Sequence, residues 1–220
     1  MKDIYNKVFI DNNNELIDFT NETIRRYGAI KHYNKGEFLF KEGDLPGYLY
    51  VVNTGLIKVS QSIGTGSDIT FFLKTVNQGI GLSESLLGTK RLRYAQCLLE
   101  STVSAVSLVD LLILSRDPRF LHGLLLRVAK SYLQVQSNLA VYTHLSLRLR
   151  LAHLLKNMSS PDEHGILRID VNFSHEELSN FIGSSRQKTT RQLNEWKQQG
   201  LITYSRKEIL IFDIDALTEQ

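Results

Sequence analysis

Between Ser184 and Arg191 the chain reads Ser-Ser-Arg-Gln-Lys-Thr-Thr-Arg, with three cations and no acid in eight residues. The chemistry open to such a set is recognition rather than bond making. Arginine can fork onto the acceptor edge of guanine and glutamine onto adenine, whereas serine and lysine suit phosphate oxygens. If the segment is helical, Arg186, Gln187, Thr190, Arg191 and Asn194 share one face at i, i+1, i+4, i+5 and i+8. That face is rich in donors and is expected to hold no acid. Leu193 and Trp196 fall on the opposite side, where a core would take them. Ser185 and Lys188 are expected on phosphate. A merely solvated helix face is the other reading of these cations.

The elements that must position this face are legible nearby. Ser174-His-Glu-Glu177 has the S-x-x-E form of a capping box and opens a short helix running through Leu178 to Phe181. Gly183 stands where a left-handed residue would close that helix. Ser184-Ser-Arg-Gln187 reads as a second box, S-x-x-Q, starting the next helix. Two capped helices across so tight a turn form a helix-turn-helix. Leu201 to Tyr204 and Ile209 to Phe212 then form a hairpin about Ser205-Arg-Lys-Glu208, which makes the unit a winged helix with Arg206 and Lys207 at the wing tip. Ser174 and Lys207 join the candidate DNA contacts.

Upstream the period changes. Residues 14–30 have loosely helical spacing. From Lys31 to about Leu114 short apolar runs alternate with glycines, as in Phe38 to Phe40, Tyr48 to Val52, Leu56 to Val59, Ile69 to Leu73, Tyr94 to Leu99 and Val103 to Leu108. Such spacing predicts a small antiparallel barrel or sandwich. Beyond Pro118 the pattern is helical for about forty residues. There Leu121, Leu125, Val128, Tyr132, Val135 and Leu139 form an apolar seam, which needs a partner along it: a second copy, or the protein's own barrel. The turn-rich stretch Ser159 to Gly165 ends this region.

Composition sets the bounds. At 220 residues, two domains are expected, and 42% hydrophobic with 22% charged residues excludes a disordered or fibrous chain. A formal net charge of +3 is too small to argue for nucleic acid by itself; Arg148 and Arg150 add positive charge upstream of the helix pair. The single cysteine, Cys97, cannot hold an iron–sulfur cluster or a structural zinc and reads as a small buried hydrophobe. No apolar h-region opens the chain and no apolar run reaches the roughly 18 residues that span a bilayer, so a cytoplasmic location without membrane contact is expected.

Taken together, the blocks resemble the catabolite activator protein and fumarate–nitrate reductase regulator (Crp/Fnr) family. The resemblance rests on Tyr33 to Asp44 and Tyr48 to Val59 at the front, and on Phe181-Ile-Gly-Ser-Ser-Arg-Gln-Lys-Thr-Thr-Arg-Gln-Leu193 at the back. It implies an α+β fold: an N-terminal antiparallel β-roll of the cyclic-nucleotide-binding type, a long central dimerisation helix and a C-terminal winged helix-turn-helix. The implied boundaries are 1–117 for effector sensing, 118–146 for dimerisation and 147–220 for DNA binding. The implied function is regulation of transcription, not catalysis, by a homodimer on a palindromic operator, with RNA polymerase a further partner if the protein activates.

Under the same resemblance, the effector pocket includes Gly81, Leu82, Arg93 and Tyr94, with Gln136 and Ser137 on the long helix. Cyclic-nucleotide members grip ribose and phosphate with a Gly-Glu pair and an Arg-Ser or Arg-Thr pair. Here these read Gly81-Leu82 and Arg93-Tyr94. Leucine cannot accept hydrogen bonds from the ribose hydroxyls, which argues against cyclic AMP. A pocket lined by Leu82 and bearing Arg93 suits an unidentified small anion with apolar bulk, and an effector-free, constitutively active regulator fits the same residues equally well. No cofactor or metal is assigned. Haem stays open, since His32, His122, His144 and His153 exist, although no spacing singles one out; so does a cyclic-nucleotide response. A cupin-like enzyme would need a histidine cluster within the barrel strands, where only His32 falls. Gln187 stands where the family commonly has glutamate, which shifts the expected base preference from cytosine toward adenine.

Overall fold

The computed structural model describes residues 2–64, 68–171, 173–205 and 208–218, with side chains described from residue 13 onward except 138 and 140–143. By internal contacts the chain divides into two units, 1–135 and 136–220. The division falls inside the long helix rather than at its ends.

The first unit opens with α1 (Lys2–Tyr27), followed by β1 (Ala29–Tyr33), β2 (Phe38–Phe40), β3 (Tyr48–Thr54), β4 (Ile57–Ser62), β5 (Asp68–Lys74) and β6 (Gly79–Ile80). Then come α2 (Leu82–Leu87), β7 (Tyr94–Cys97), β8 (Ser101–Ser107), α3 (Leu108–Leu114) and α4 (Pro118–His144). Two antiparallel four-stranded sheets result, in the orders β1-β8-β3-β6 and β2-β7-β4-β5. Side chains alternate across each strand. Tyr50 and Val52 of β3 therefore join Phe40, Ile57, Val59, Ala95, Cys97 and Val103 in one core between strands. Their neighbours Leu49 and Val51 point the other way, onto Ile24 of α1, Leu111 of α3, and Phe120 and Leu124 of α4. Burial on both faces is why Leu49 to Val52 is uninterrupted apolar sequence.

Three expectations needed revision. The opening helix is longer than residues 14–30 suggested. The segment from Lys31 to Leu114 contains two short helices: Ser107 caps α3 by accepting from the Asp110 N–H at 3.1 Å, and Gly81 and Gly88 bracket α2. The forty-residue helical stretch is broken, because Ser146 caps a new helix, α5 (Leu147–Met158), by accepting from the Leu149 N–H at 3.3 Å. At its start α4 carries the pairing that favours initiation: the Asp117 carboxylate accepts from the Arg119 N–H at 2.8 Å, with Pro118 as the first helical residue.

The second unit continues with β9 (Ser160–Pro161), β10 (Leu167–Ile169), α6 (His175–Ile182), α7 (Arg186–Gln198), β11 (Ile202–Tyr204), β12 (Ile209–Ile211) and α8 (Ile214–Thr218). Its sheet runs β11-β12-β10-β9. Leu151 and Leu155 of α5, Leu178 and Ile182 of α6, and Leu193 and Trp196 of α7 are buried in its core. Arg148 and Arg150 serve this unit as fasteners. The Arg148 guanidinium donates to the Ala216 carbonyl at 2.8 Å, and Arg150 donates to the Ile182 carbonyl at 2.7 Å. Both satisfy carbonyls at helix C-termini, where cations are favoured. No helix among the described residues is long and apolar enough to cross a membrane.

Candidate nucleic-acid interface and effector cavity

Helix α6 begins with the full capping box. The Ser174 hydroxyl accepts from the Glu177 N–H at 3.1 Å, and the Glu177 carboxylate accepts from the Ser174 N–H at 2.7 Å. It ends at Gly183, whose φ of 61° is a left-handed cap that residues with a Cβ reach at a cost. The start of α7 differs from expectation. Its cap is Ser185, which accepts from the Lys188 N–H at 3.4 Å, so the Ser184-x-x-Gln187 box does not form. Ser184 is spent on the turn, its N–H donating to the Ser179 carbonyl at 3.0 Å.

One residue of register decides which side chains α7 presents, and the face survives the change. Arg186, Gln187, Thr190, Arg191 and Asn194 line one open surface together with Glu195 and Gln198. Arg186, Gln187 and Lys188 are exposed. The expectation of an acid-free face is corrected: Glu195 lies one turn beyond Arg191 and takes its Nε–H at 3.0 Å. Two other members of the face are already engaged. Thr190 Oγ1 lies 2.9 Å from His175 Nδ1, and the Tyr204 hydroxyl donates to Asn194 Oδ1 at 2.7 Å. The His175 ring stands edge-on to Tyr204 at 5.2 Å. Burial, and then the Arg186 guanidinium, hold this imidazole below its ordinary value, which favours its neutral form. The network ties the start of α6 and strand β11 to α7. Lys207 and Arg206 lie outside the described residues.

In the first unit a cavity of about 400 Å³ opens among the roll strands, the start of α2 and residues of α1 and α4. Of the residues named for an effector pocket, Gly81, Leu82 and Arg93 line it. Tyr94 is not among its lining residues: the phenol bonds to Asp68, and burial and that bond raise its pKa. Gln136 and Ser137 are exposed residues of α4 within the second unit. Gly81 has a spatial role that its sequence position did not disclose. A Cβ there would fall 2.4 Å from Nη1 of Arg91, a buried guanidinium that donates to the Gly81 carbonyl at 2.7 Å and the Tyr48 carbonyl at 2.5 Å.

Three lining cations were not anticipated: Lys74 of β5, and Arg127 and Lys130 of α4. Burial and the neighbouring Arg127 charge push the Lys74 ammonium down to about 8. Burial and Arg25 lower Arg127 to about 10. A lone arginine within Leu124-Leu-Leu-Arg-Val128 was the signal available in the sequence. Cys97 is buried and its thiol is pushed up by burial, which leaves it the small hydrophobe expected.

Comparison with known proteins agrees with both halves. Residues 30–117 match the cyclic nucleotide-binding domain family, and residues 149–220 match the Crp-like helix-turn-helix domain family. The global nitrogen regulator of Synechococcus elongatus is 26% identical over 87% of this chain and 89% of its own. Transcriptional regulator LdrP of Thermus thermophilus is 28% identical over 87% of this chain and 96% of its own. Among solved structures, the c-di-GMP-responsive regulator CLP of Xanthomonas campestris superposes with a TM-score of 0.76 at 17% identity, covering 89% of this chain and 99% of that one. A CRP-family regulator from Thermus thermophilus gives 0.72 at 24% identity, covering 85% and 94%. A β-roll of the cyclic-nucleotide-binding type, a long helix and a capped helix pair with its hairpin thus occur in one chain and in family order; the chain is a DNA-binding transcription regulator of the Crp/Fnr family.

Proposed function

We propose that this regulator acts as a homodimer joined along α4, reads a palindromic operator with Arg186, Gln187 and Arg191, and answers to a small anionic effector other than cyclic AMP. The observation that carries the DNA reading is the exposed face of α7, whose cations begin at the first turn, where a recognition helix meets base edges. Lys188 and the Ser174 and Ser185 hydroxyls are assigned to phosphate, with Lys207 at the wing. Thr190 and Asn194, held by His175 and Tyr204, shape the face rather than read bases. The dimer reading is supported by Leu121, Leu125, Val128 and Val135, all at least 37% exposed and all on one stripe of α4. Residues 1–117, 118–146 and 147–220 are assigned to sensing, dimerisation and DNA binding, in the cytoplasm. Cyclic AMP is disfavoured because Leu82 offers its ribose no acceptor, and Glu84, the acid among the cavity's lining residues, stands 3.8 Å from Arg91.

Fluorescence anisotropy on a palindromic duplex tests the central claim. Affinity is expected to fall steeply with salt as neutralised phosphates release counterions. Arg191→Ala is expected to cost roughly 1–3 kcal/mol on the selected operator and little on random sequence. Equal losses on both would remove Arg191 from base reading.

A further inference from the structure

The effector cavity is charged out of balance. Lys74, Arg93, Arg127 and Lys130 line it against the single acid Glu84, and that acid already faces Arg91. Lys130 is exposed and donates to Asn14 at 2.9 Å, so the inner excess is carried by Lys74, Arg93 and Arg127. Lys74 and Arg93 are set against aromatic rings, whereas Arg127 lies against backbone and donates from Nη2 to the Asn77 carbonyl at 3.5 Å. The Lys74 ammonium lies 4.6 Å from the centre of the Phe72 ring, and the Arg93 guanidinium lies 4.1 Å from that of Phe71. Arg127 rests against the backbone at Gly79, where a Cβ would come within 2.8 Å of Nη1. The Nε atoms of Arg93 and Arg127 are buried without a hydrogen-bond partner. Holding half-buried cations in one cavity costs free energy that an opposite charge would recover. At Arg127 the further charges are Arg25, which worsens the repulsion, and Asp18, which opposes it as the smallest contribution.

We infer that the cavity is built for a small dianion, and that Lys74 and Arg127 are binding residues for one of its acidic groups while Arg93 takes the other. The inference rests on the effector reading above and specifies its chemistry. A ligand with one negative charge leaves the inner site cationic; one with two comes close to neutralising it. The apolar walls formed by Phe40, Val59, Phe72 and Leu82 suit a short carbon skeleton between the charges. Carboxylates and a phosphate monoester satisfy this chemistry equally.

The test uses the full-length protein and thermal unfolding at constant ionic strength. Succinate and glycerol phosphate serve as dianions, with acetate and cyclic AMP as monoanions. Dianions are expected to raise the midpoint with at least tenfold higher apparent affinity than monoanions. A response confined to succinate assigns a dicarboxylate, and one confined to glycerol phosphate assigns a phosphate monoester. Lys74→Met and Arg127→Met are expected to weaken the effective dianion tenfold or more, and Lys74→Arg to retain most of it. Lys74→Met decides the matter alone if the arginine variant does not fold. Because an anion favours the charged amine, dianion affinity should also fall about tenfold from pH 7 to pH 9, and Lys74→Met should abolish that fall. If monoanions act as well as dianions, the cavity remains an effector site and the charge assignment is wrong. If none of the four anions shifts the midpoint, the effector reading itself fails. An unchanged response in both variants places the anion elsewhere.

Discussion

Lys74 is a residue on which burial and a neighbouring charge act in the same direction. Its amine titrates at about 8 when folded and at 10.5 ordinarily. Between these values the unfolded chain holds more protons, so stability rises with pH across that window; below about 8 the full penalty of a buried cation remains. Lys74→Met is therefore expected to unfold at a higher temperature than the parent at pH 7, by roughly a few degrees. It should also flatten the rise between pH 8 and 10.5, as thermal melts over a pH series would show. Lys74 was not recognisable as a site residue in the sequence, and Arg127 showed only as a lone arginine in an apolar run, because what makes them unusual is that β5 and α4 line one cavity. Arg186, Gln187 and Arg191 were recognisable, since helical period alone assigns them to one face. Glu195 shares that period and was overlooked because the face was read only as far as Asn194.

Helix starts show how local chemistry sets an element and where reading it fails. Two serines stand before α7, and both could cap on sequence grounds. The structure uses Ser185, because closure of α6 at Gly183 takes the Ser184 N–H for the turn. Ser185→Ala is accordingly expected to cost about 0.5–2 kcal/mol, and Ser184→Ala much less. Urea unfolding followed by tryptophan fluorescence would separate them, since Trp196 is the chain's one tryptophan and lies fully buried in the second unit. Equal losses would show that the cap is shared. The main strands were legible from apolar runs between glycines. Helices α2 and α3 were not, because a short apolar run without visible period reads equally as a buried strand. The break at Ser146 was likewise hidden, as apolar spacing continues through it while the backbone does not.

For the whole molecule, the proposed dimer makes α4 the point where sensing and DNA binding meet. Leu125→Glu is expected to shift sedimentation from dimer to monomer and to weaken operator binding at least tenfold, because a monomer engages one half-site. Retained dimer with full affinity would reject the α4 interface. The ion pair between Arg191 and Glu195 bears on a different problem, the time spent on wrong DNA. A regulator meets vastly more irrelevant sequence than operator, and every free cation on its reading face lengthens each mistaken stop. An arginine paired within its own helix, even through an exposed and weak contact, adds less to such stops than an unpaired one. In the proposed reading, a guanine offers this arginine two acceptors in place of one carboxylate. Glu195→Gln should therefore slow dissociation from random duplex more than from operator in stopped-flow measurements; an equal change on both would deny Glu195 this role. On that reading the carboxylate shortens the search for the operator without touching a base.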